Sequence, residues 1–240
     1  MRLLLLGGTA EARALAARLH PDIDVISSLA GRVPDPALPV GEVRIGGFGG
    51  VEGMAKWLRD EHIDAVVDAT HPFAATITAN AALACRQLGL PGVVLARPPW
   101  PPGRATIVGS DVEAAGVVAE KGYSRIFLTT GRSGTTAFVD VDAWFLIRAV
   151  TAPDPDTLPA RHDLLLSRGP YRYEDEVRLM SEHRIDALVT KNSGGDMTRA
   201  KLEAADELGA IVVMVDRPAL PAGVPTVSTV EDAANWVRAR

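Results

Sequence analysis

The stretch Met1-Arg2-Leu3-Leu4-Leu5-Leu6-Gly7-Gly8-Thr9-Ala10-Glu11-Ala12 decides the fold. Four consecutive leucines make a short buried strand. Gly7, Gly8 and Thr9 turn the chain, and residues 11–19 read as a helix. A strand, a glycine turn and a helix form the entry to nucleotide-binding α/β domains. The glycines let the backbone approach a phosphate without a clashing Cβ. The unpaired first amides of the helix point at that phosphate. The G-x-G-x-x-G/A fingerprint is degenerate here, with Thr9 at the second glycine position and Ala12 at the third. Taken alone, the turn also fits an ordinary βα connection with no ligand.

Outward from this turn, apolar runs alternate with helical patterns. Strands are expected at 2–6, 24–28, 42–46, 64–69 and 92–96, then at 125–130, 144–150, 163–167, 186–190 and 210–215. Helices are expected at 11–19, 51–61, 73–88, 112–121, 173–183, 198–208 and 230–239. Continuous apolar strands interleaved with helices mean parallel sheet covered on both faces. Arg97-Pro98-Pro99-Trp100-Pro101-Pro102-Gly103 reads as a stiff linker, because prolines forbid a helix or central strand there. The halves also resemble each other. His62-Ile63-Asp64-Ala65-Val66-Val67 matches Arg184-Ile185-Asp186-Ala187-Leu188-Val189, and Ala96-Arg97-Pro98 matches Asp216-Arg217-Pro218. The expected fold is α/β: two Rossmann-like parallel-sheet lobes, 1–100 and 101–240, with a cleft between them at the strand ends.

Composition narrows the function. The 240 residues are 47% apolar, ample for a packed core. No stretch approaches the ~18 apolar residues of a membrane span, and residues 3–6 are shorter than the ~7–15-residue core of a signal peptide. A cytoplasmic protein with no membrane partner is expected. The single cysteine, Cys85, excludes an internal disulfide and reads as a buried helix position. The five histidines lack metal-ligand spacing, so no metal site is expected. A net charge of −5 argues against a nucleic-acid partner. It leaves room for a polyanionic small substrate, because local arginines set the field in a cleft.

Polar, glycine-rich segments come after strand upon strand, which favours an extended binding cleft. In the first half the candidate cofactor ligands are Gly7, Gly8, Thr9, Glu11, Ala12, Ser27, Ser28, Arg32, Gly47, Thr70 and His71. A second strand ending in Asp or Glu would suit NAD. This one ends in Ser27 and Ser28, with Arg32 shortly after, which suits the 2′-phosphate of NADPH. Arg32 also fits a solvated loop charge. His71 precedes Pro72 and can touch a ligand, donate a proton, or simply enter the next helix. Arg97 and Arg217 end strands before prolines, where they can hold carboxylates or pair with acidic neighbours. In the second half Arg132, Arg148, Arg168 and Lys191 cluster at strand ends. With Gly131, Asn192, Ser193, Gly194 and Arg97 they make a candidate site for an anionic substrate, in which Glu174 and Glu176 can neutralise part of the charge. No Ser-His-Asp or Cys-His nucleophile arrangement can be traced, which fits hydride transfer from a cofactor. Candidate catalytic groups are His71, Tyr171 and Lys191, with water as a further proton source.

Five segments carry a more specific resemblance. They are Gly7-Gly8-Thr9-Ala10-Glu11-Ala12-Arg13, Ser28-Leu29-Ala30-Gly31-Arg32, Gly46-Gly47-Phe48-Gly49-Gly50, Asp68-Ala69-Thr70-His71-Pro72-Phe73-Ala74 and Lys191-Asn192-Ser193-Gly194-Gly195. Together, in order and over almost the whole chain, they resemble the precorrin-6A reductase family of corrin (vitamin B12) biosynthesis. Ala10 departs from the threonine common there. The resemblance implies NADPH-dependent reduction of one double bond of a tetrapyrrole, giving precorrin-6B. It implies two related lobes, with strands open to exchange between them. Phe48, Tyr171 or Trp100 would lie against the flat ligand. Metal-free and cobalt-containing substrates both stand, and neighbouring pathway enzymes are candidate partners for product hand-over. The rival readings are an NADP-dependent reductase of another anionic substrate and a non-catalytic two-lobed binding protein.

Overall fold

The computed structural model describes residues 1–31 and 37–240. In chain order the elements are β1 (Arg2–Leu6), α1 (Ala10–Leu19), β2 (Asp24–Leu29), β3 (Glu42–Ile45), α2 (Gly50–Asp60), β4 (Ala65–Asp68), α3 (Ala75–Leu88) and β5 (Gly92–Leu95). They continue with β6 (Thr106–Val108), α4 (Asp111–Lys121), β7 (Arg125–Leu128), β8 (Trp144–Ala149), β9 (His162–Leu166), α5 (Tyr173–Glu182) and β10 (Ala187–Lys191). The last are α6 (Ala200–Leu208), β11 (Ile211–Val215), β12 (Thr226–Val227) and α7 (Val230–Arg238).

The chain divides into two compact units, Met1–Pro98 with Pro218–Arg240, and Pro99–Arg217. This differs from a simple split at residue 100, because 218–240 rejoin the first unit. Each unit holds a six-stranded sheet, in the orders β3-β2-β1-β4-β5-β12 and β9-β8-β7-β10-β11-β6. Every pairing in both sheets is parallel. Both have the doubly wound 3-2-1-4-5-6 order. The sixth strands are exchanged. Chain leaving β5 runs through the proline-rich stretch into β6 and α4, which complete the second unit. Chain leaving β11 runs into β12 and α7, which complete the first.

A strand covered on both faces must be apolar at every position. In β1, Leu3 and Leu5 pack with α1 and α7, while Leu4 and Leu6 pack with α2 and α3. All four are at most 1% exposed, and burying each contributes about 1.5–3 kcal/mol. In the second unit Phe127, Leu146 and Leu188 lie under α5 and α6. The two strands the sequence pattern does not show are β6 and β12, of three and two residues. Runs that short carry no readable alternation.

The proline-rich stretch is a docked segment as well as a connection. Trp100 is 4% exposed. Its backbone N–H donates to Asn192 Oδ1 at 2.8 Å and its carbonyl accepts from Asn192 Nδ2 at 3.2 Å. Its indole N–H donates to the Gly195 carbonyl at 2.9 Å. Cys85 is buried on α3, and burial pushes its thiol up to about 11.

Candidate functional site

In the first unit the strand order reverses at β1, so the crevice lies at the carboxyl ends of β1 and β4. The turn after β1 is shaped for close approach. Gly8 has φ of 108°, and a Cβ there would meet nothing within 4 Å, so the space over it is open. A side chain would be strained there by its backbone alone. Thr9 is the N-cap of α1. Its hydroxyl accepts from the Ala12 N–H at 3.1 Å and donates to the Ala69 carbonyl at 2.7 Å. Thr9 therefore fastens the glycine turn to the loop after β4. Glu11 forms an ion pair with Arg97 at 2.8 Å, so the carboxylate in the first turn of α1 is neutralised from within the unit.

The loop after β4 is held by Asp68. Its Oδ1 accepts from the Thr70 N–H at 2.9 Å and from the Thr70 hydroxyl at 2.7 Å, and its Oδ2 is buried without a hydrogen-bond partner. His71 is exposed, and its Nδ1 accepts from the Phe73 N–H at 3.3 Å. That contact puts the proton of the neutral ring on Nε2.

At the ends of β2 and β3 the expected serines part company. Ser27 shares the face of Val25 in the core beneath α1, 1% exposed, with no hydrogen-bond partner for its hydroxyl. Its expected contact with a cofactor is corrected: the side chain is inside the sheet. Ser28 is paired in register with Arg44, whose Nη1 donates to its hydroxyl at 3.0 Å. Arg44 also donates to the Gly46 carbonyl at 2.9 Å and the Gly47 carbonyl at 3.0 Å. Its guanidinium lies 3.9 Å from the Phe48 ring centroid and 5.3 Å from that of Trp57. Sequence reasoning missed Arg44. The available signal was a cation one residue from the end of the strand that leads into the Gly46-Gly47-Phe48-Gly49-Gly50 loop. Arg32 lies outside the described residues.

In the second unit the loops after β7, β9 and β10 hold the expected polar groups. Gly131 turns the chain at φ of 79°. Arg132 and Arg168 are exposed. Lys191 donates to the Thr130 carbonyl at 3.0 Å and pairs with Asp111 at 3.2 Å. Tyr171 donates its hydroxyl to the Ser167 carbonyl at 3.0 Å and lays its ring on the Arg148 guanidinium at 4.0 Å. Ser193 and Gly194 continue the loop from Asn192, and Gly194 adopts φ of 65°.

Two expected substrate ligands have other work. Arg148 is 6% exposed and Glu176 2%, and they form a doubly hydrogen-bonded ion pair at 2.9 and 2.6 Å. The guanidinium is further held against Phe127 at 4.6 Å. A cation so enclosed, and matched by a carboxylate, is spent on the interior. Asn192 is buried, with its amide given to Trp100 and its carbonyl accepting from Arg217 Nε at 2.8 Å. It anchors the loop and does not open toward a ligand. Beside this group lies Lys201, also missed from sequence. Its ammonium sits 5.2 Å from the Trp100 ring centroid. Burial first, and the Arg148 charge second, push its pKa down to about 7, partly offset by Glu176.

Among the described residues no cluster of His, Cys, Asp and Glu could hold a metal ion, and no helix is long and apolar enough to cross a membrane.

Each unit thus carries the strand order and strand-end loops of the nucleotide-binding α/β class. A family model described as precorrin-6x reductase CbiJ/CobK matches residues 2–238. The chain belongs to that family. It is 71% identical over 236 residues to the precorrin-6A reductase of Mycobacterium tuberculosis, covering 98% of this chain and 97% of the relative. It is 55% identical to that of Rhodococcus erythropolis, covering 98% and 97%. It is 30% identical to a cobalt-precorrin-6A reductase of Priestia megaterium, covering 97% and 96%. A solved structure of CobK precorrin-6A reductase superposes with a TM-score of 0.92 at 36% identity, covering 100% of this chain and 96% of that one.

Proposed function

We propose that this chain reduces one carbon–carbon double bond of the precorrin-6A macrocycle with NADPH, giving precorrin-6B in cobalamin biosynthesis in the cytoplasm. The observation that carries the reading is the open glycine turn at the β1 end, in a chain matched over residues 2–238 by a reductase family. When bound, NADPH supplies the hydride. Gly7, Gly8, Gly47, Thr70 and the first amides of α1 would hold the dinucleotide, with the pyrophosphate over the glycine turn. Thr9 keeps that turn closed on Ala69. The absence of Asp or Glu at the end of β2 favours NADPH over NADH.

Arg132, Arg168 and Lys191, with Gly131, Ser193 and Gly194, would take the macrocycle's carboxylates. Arginine forks bind carboxylates in two parallel hydrogen bonds, and the lysine adds a point charge. The metal-free macrocycle is the favoured form, because the relatives at 71% and 55% identity carry the name precorrin-6A reductase, while the cobalt name belongs to relatives at 31%, 30% and 26%. Geometry ranks the proton donors. Tyr171 directs its hydroxyl proton at Ser167, and Lys191 is held by Thr130 and Asp111. His71 is exposed in the loop after β4, where its imidazolium form can give up a proton and be recharged from solvent, and we assign it the donor role.

The test is anaerobic incubation of the protein with precorrin-6A and either NADPH or NADH, monitoring the near-ultraviolet band of the reduced coenzyme and the tetrapyrrole spectrum. Coupled changes, much faster with NADPH, are expected. No change with either coenzyme, for the metal-free or the cobalt macrocycle, would overturn the reading.

A further inference from the structure

We propose that Arg44 is the residue that selects a 2′-phosphorylated dinucleotide, gripping the phosphate monoester on the adenosine ribose. This rests on the reading that the first unit binds a dinucleotide.

Position comes first. In a 3-2-1-4-5-6 sheet the adenosine ribose sits beyond the carboxyl end of the second strand, where an acidic residue takes the ribose hydroxyls or an arginine takes the 2′-phosphate. Here β2 ends in Ser27, Ser28 and Leu29, with no carboxylate. Arg44 stands on the neighbouring strand, opposite Ser28 in register and hydrogen-bonded to its hydroxyl. Charge comes second. The partners of Arg44 are a hydroxyl, two loop carbonyls and two aromatic faces. Among the described residues no carboxylate pairs with it, and burial alone lowers its pKa. A half-buried guanidinium with an unmatched charge is poised for an anion. Arg148 in the second unit, by contrast, is neutralised by Glu176.

A guanidinium carries five N–H donors. The bonds to Ser28, Gly46 and Gly47 use both donors of Nη1 and one of Nη2. Nε–H and one Nη2–H remain, the pair needed for a bidentate phosphate contact. The three bonds and the Phe48 stack fix the fork in place, so little side-chain entropy is lost on binding. The exposed Gly47, with nothing within 4 Å of a built Cβ, leaves room at the site.

The experiment is titration calorimetry with adenosine 2′,5′-bisphosphate and adenosine 5′-monophosphate, on the wild type and on Arg44→Gln and Arg44→Lys. The wild type is expected to bind the bisphosphate roughly 10- to 100-fold more tightly, the range of a charge-assisted contact. Arg44→Gln should lose that preference and keep its affinity for the monophosphate. Arg44→Lys keeps the charge without the fork and should keep part of it, which tests the proposal even if the glutamine variant does not fold. A full preference retained in either variant would overturn the role of Arg44. A wild type that binds both compounds equally would overturn it while leaving dinucleotide binding standing. A wild type that binds neither would remove the dinucleotide reading itself.

Discussion

The two units share one strand order and differ in the chain that leaves their central strand. In the first, β1 gives way to Gly7, Gly8 and a Thr9-capped helix of ten residues. In the second, β7 gives way to Thr129, Thr130 and Gly131, and then to a four-residue 3-10 turn, Thr135–Phe138. Four residues supply no helix dipole and no row of orphan amides. Its place is taken by side chains: Lys191 on the Thr130 carbonyl, and exposed Arg132 and Arg168. The same scaffold thus offers backbone amides at one set of strand ends and cationic side chains at the other. Amides and a glycine turn suit a pyrophosphate held close to the backbone. Long cations suit carboxylates spread around a large ring.

The interiors differ too, and that difference can be broken experimentally. Beneath the loops of the second unit lies the enclosed Arg148–Glu176 pair, with Lys201 beside it. Glu176→Gln leaves Arg148 buried without its counter-charge and should cost about 3–5 kcal/mol of unfolding free energy, read by denaturant titration. A cost under about 1 kcal/mol would mean that the pair is solvated. In the first unit the corresponding fastener is neutral. Thr9→Val removes the N-cap and the bond to Ala69 together, and should cost about 1–2 kcal/mol. Its nucleotide affinity should fall as the turn loosens, with substrate affinity unmoved.

Lys201 sharpens the contrast through pH. Its folded pKa of about 7 lies well below the unfolded value near 10.4. Between these values the unfolded chain binds more protons, so the cost of burying this charge is full below about pH 7 and is relieved as pH rises. Thermal melts from about pH 7 to pH 9 should show that gain in stability in the wild type and a flatter profile in Lys201→Met. The window stops short of the Cys85 thiol, which titrates near 11. Identical slopes would mean that Lys201 is charged in the folded protein.

Much of this was legible in the residues. The leucine run, the glycine turn and the helical periods announced the seven α-helices and the ten longer strands found among the described residues. The exchange of β6 and β12 was not readable, because two or three residues carry no period and strand order is a long-range property. Site residues were legible as loops and less so as roles. Arg148 and Arg168 look alike as cations at strand ends, and only the fold brings Glu176, 28 positions away, onto one of them. Asn192 belonged to a recognisable motif, yet its partner Trp100 sits across the sequence in what reads as a plain linker. Arg44 alternates with apolar neighbours like any strand residue, so its stacking on Phe48 could not be inferred from spacing.

The division of labour between the units is tested most directly by one kinetic comparison: KM for NADPH and KM for precorrin-6A in Gly8→Val and Arg168→Ala. Gly8→Val should raise the NADPH KM by about tenfold or more and leave the precorrin-6A KM nearly unchanged, and Arg168→Ala should do the reverse. Both variants shifting both constants alike would contradict the assignment of nucleotide to the first unit and tetrapyrrole to the second.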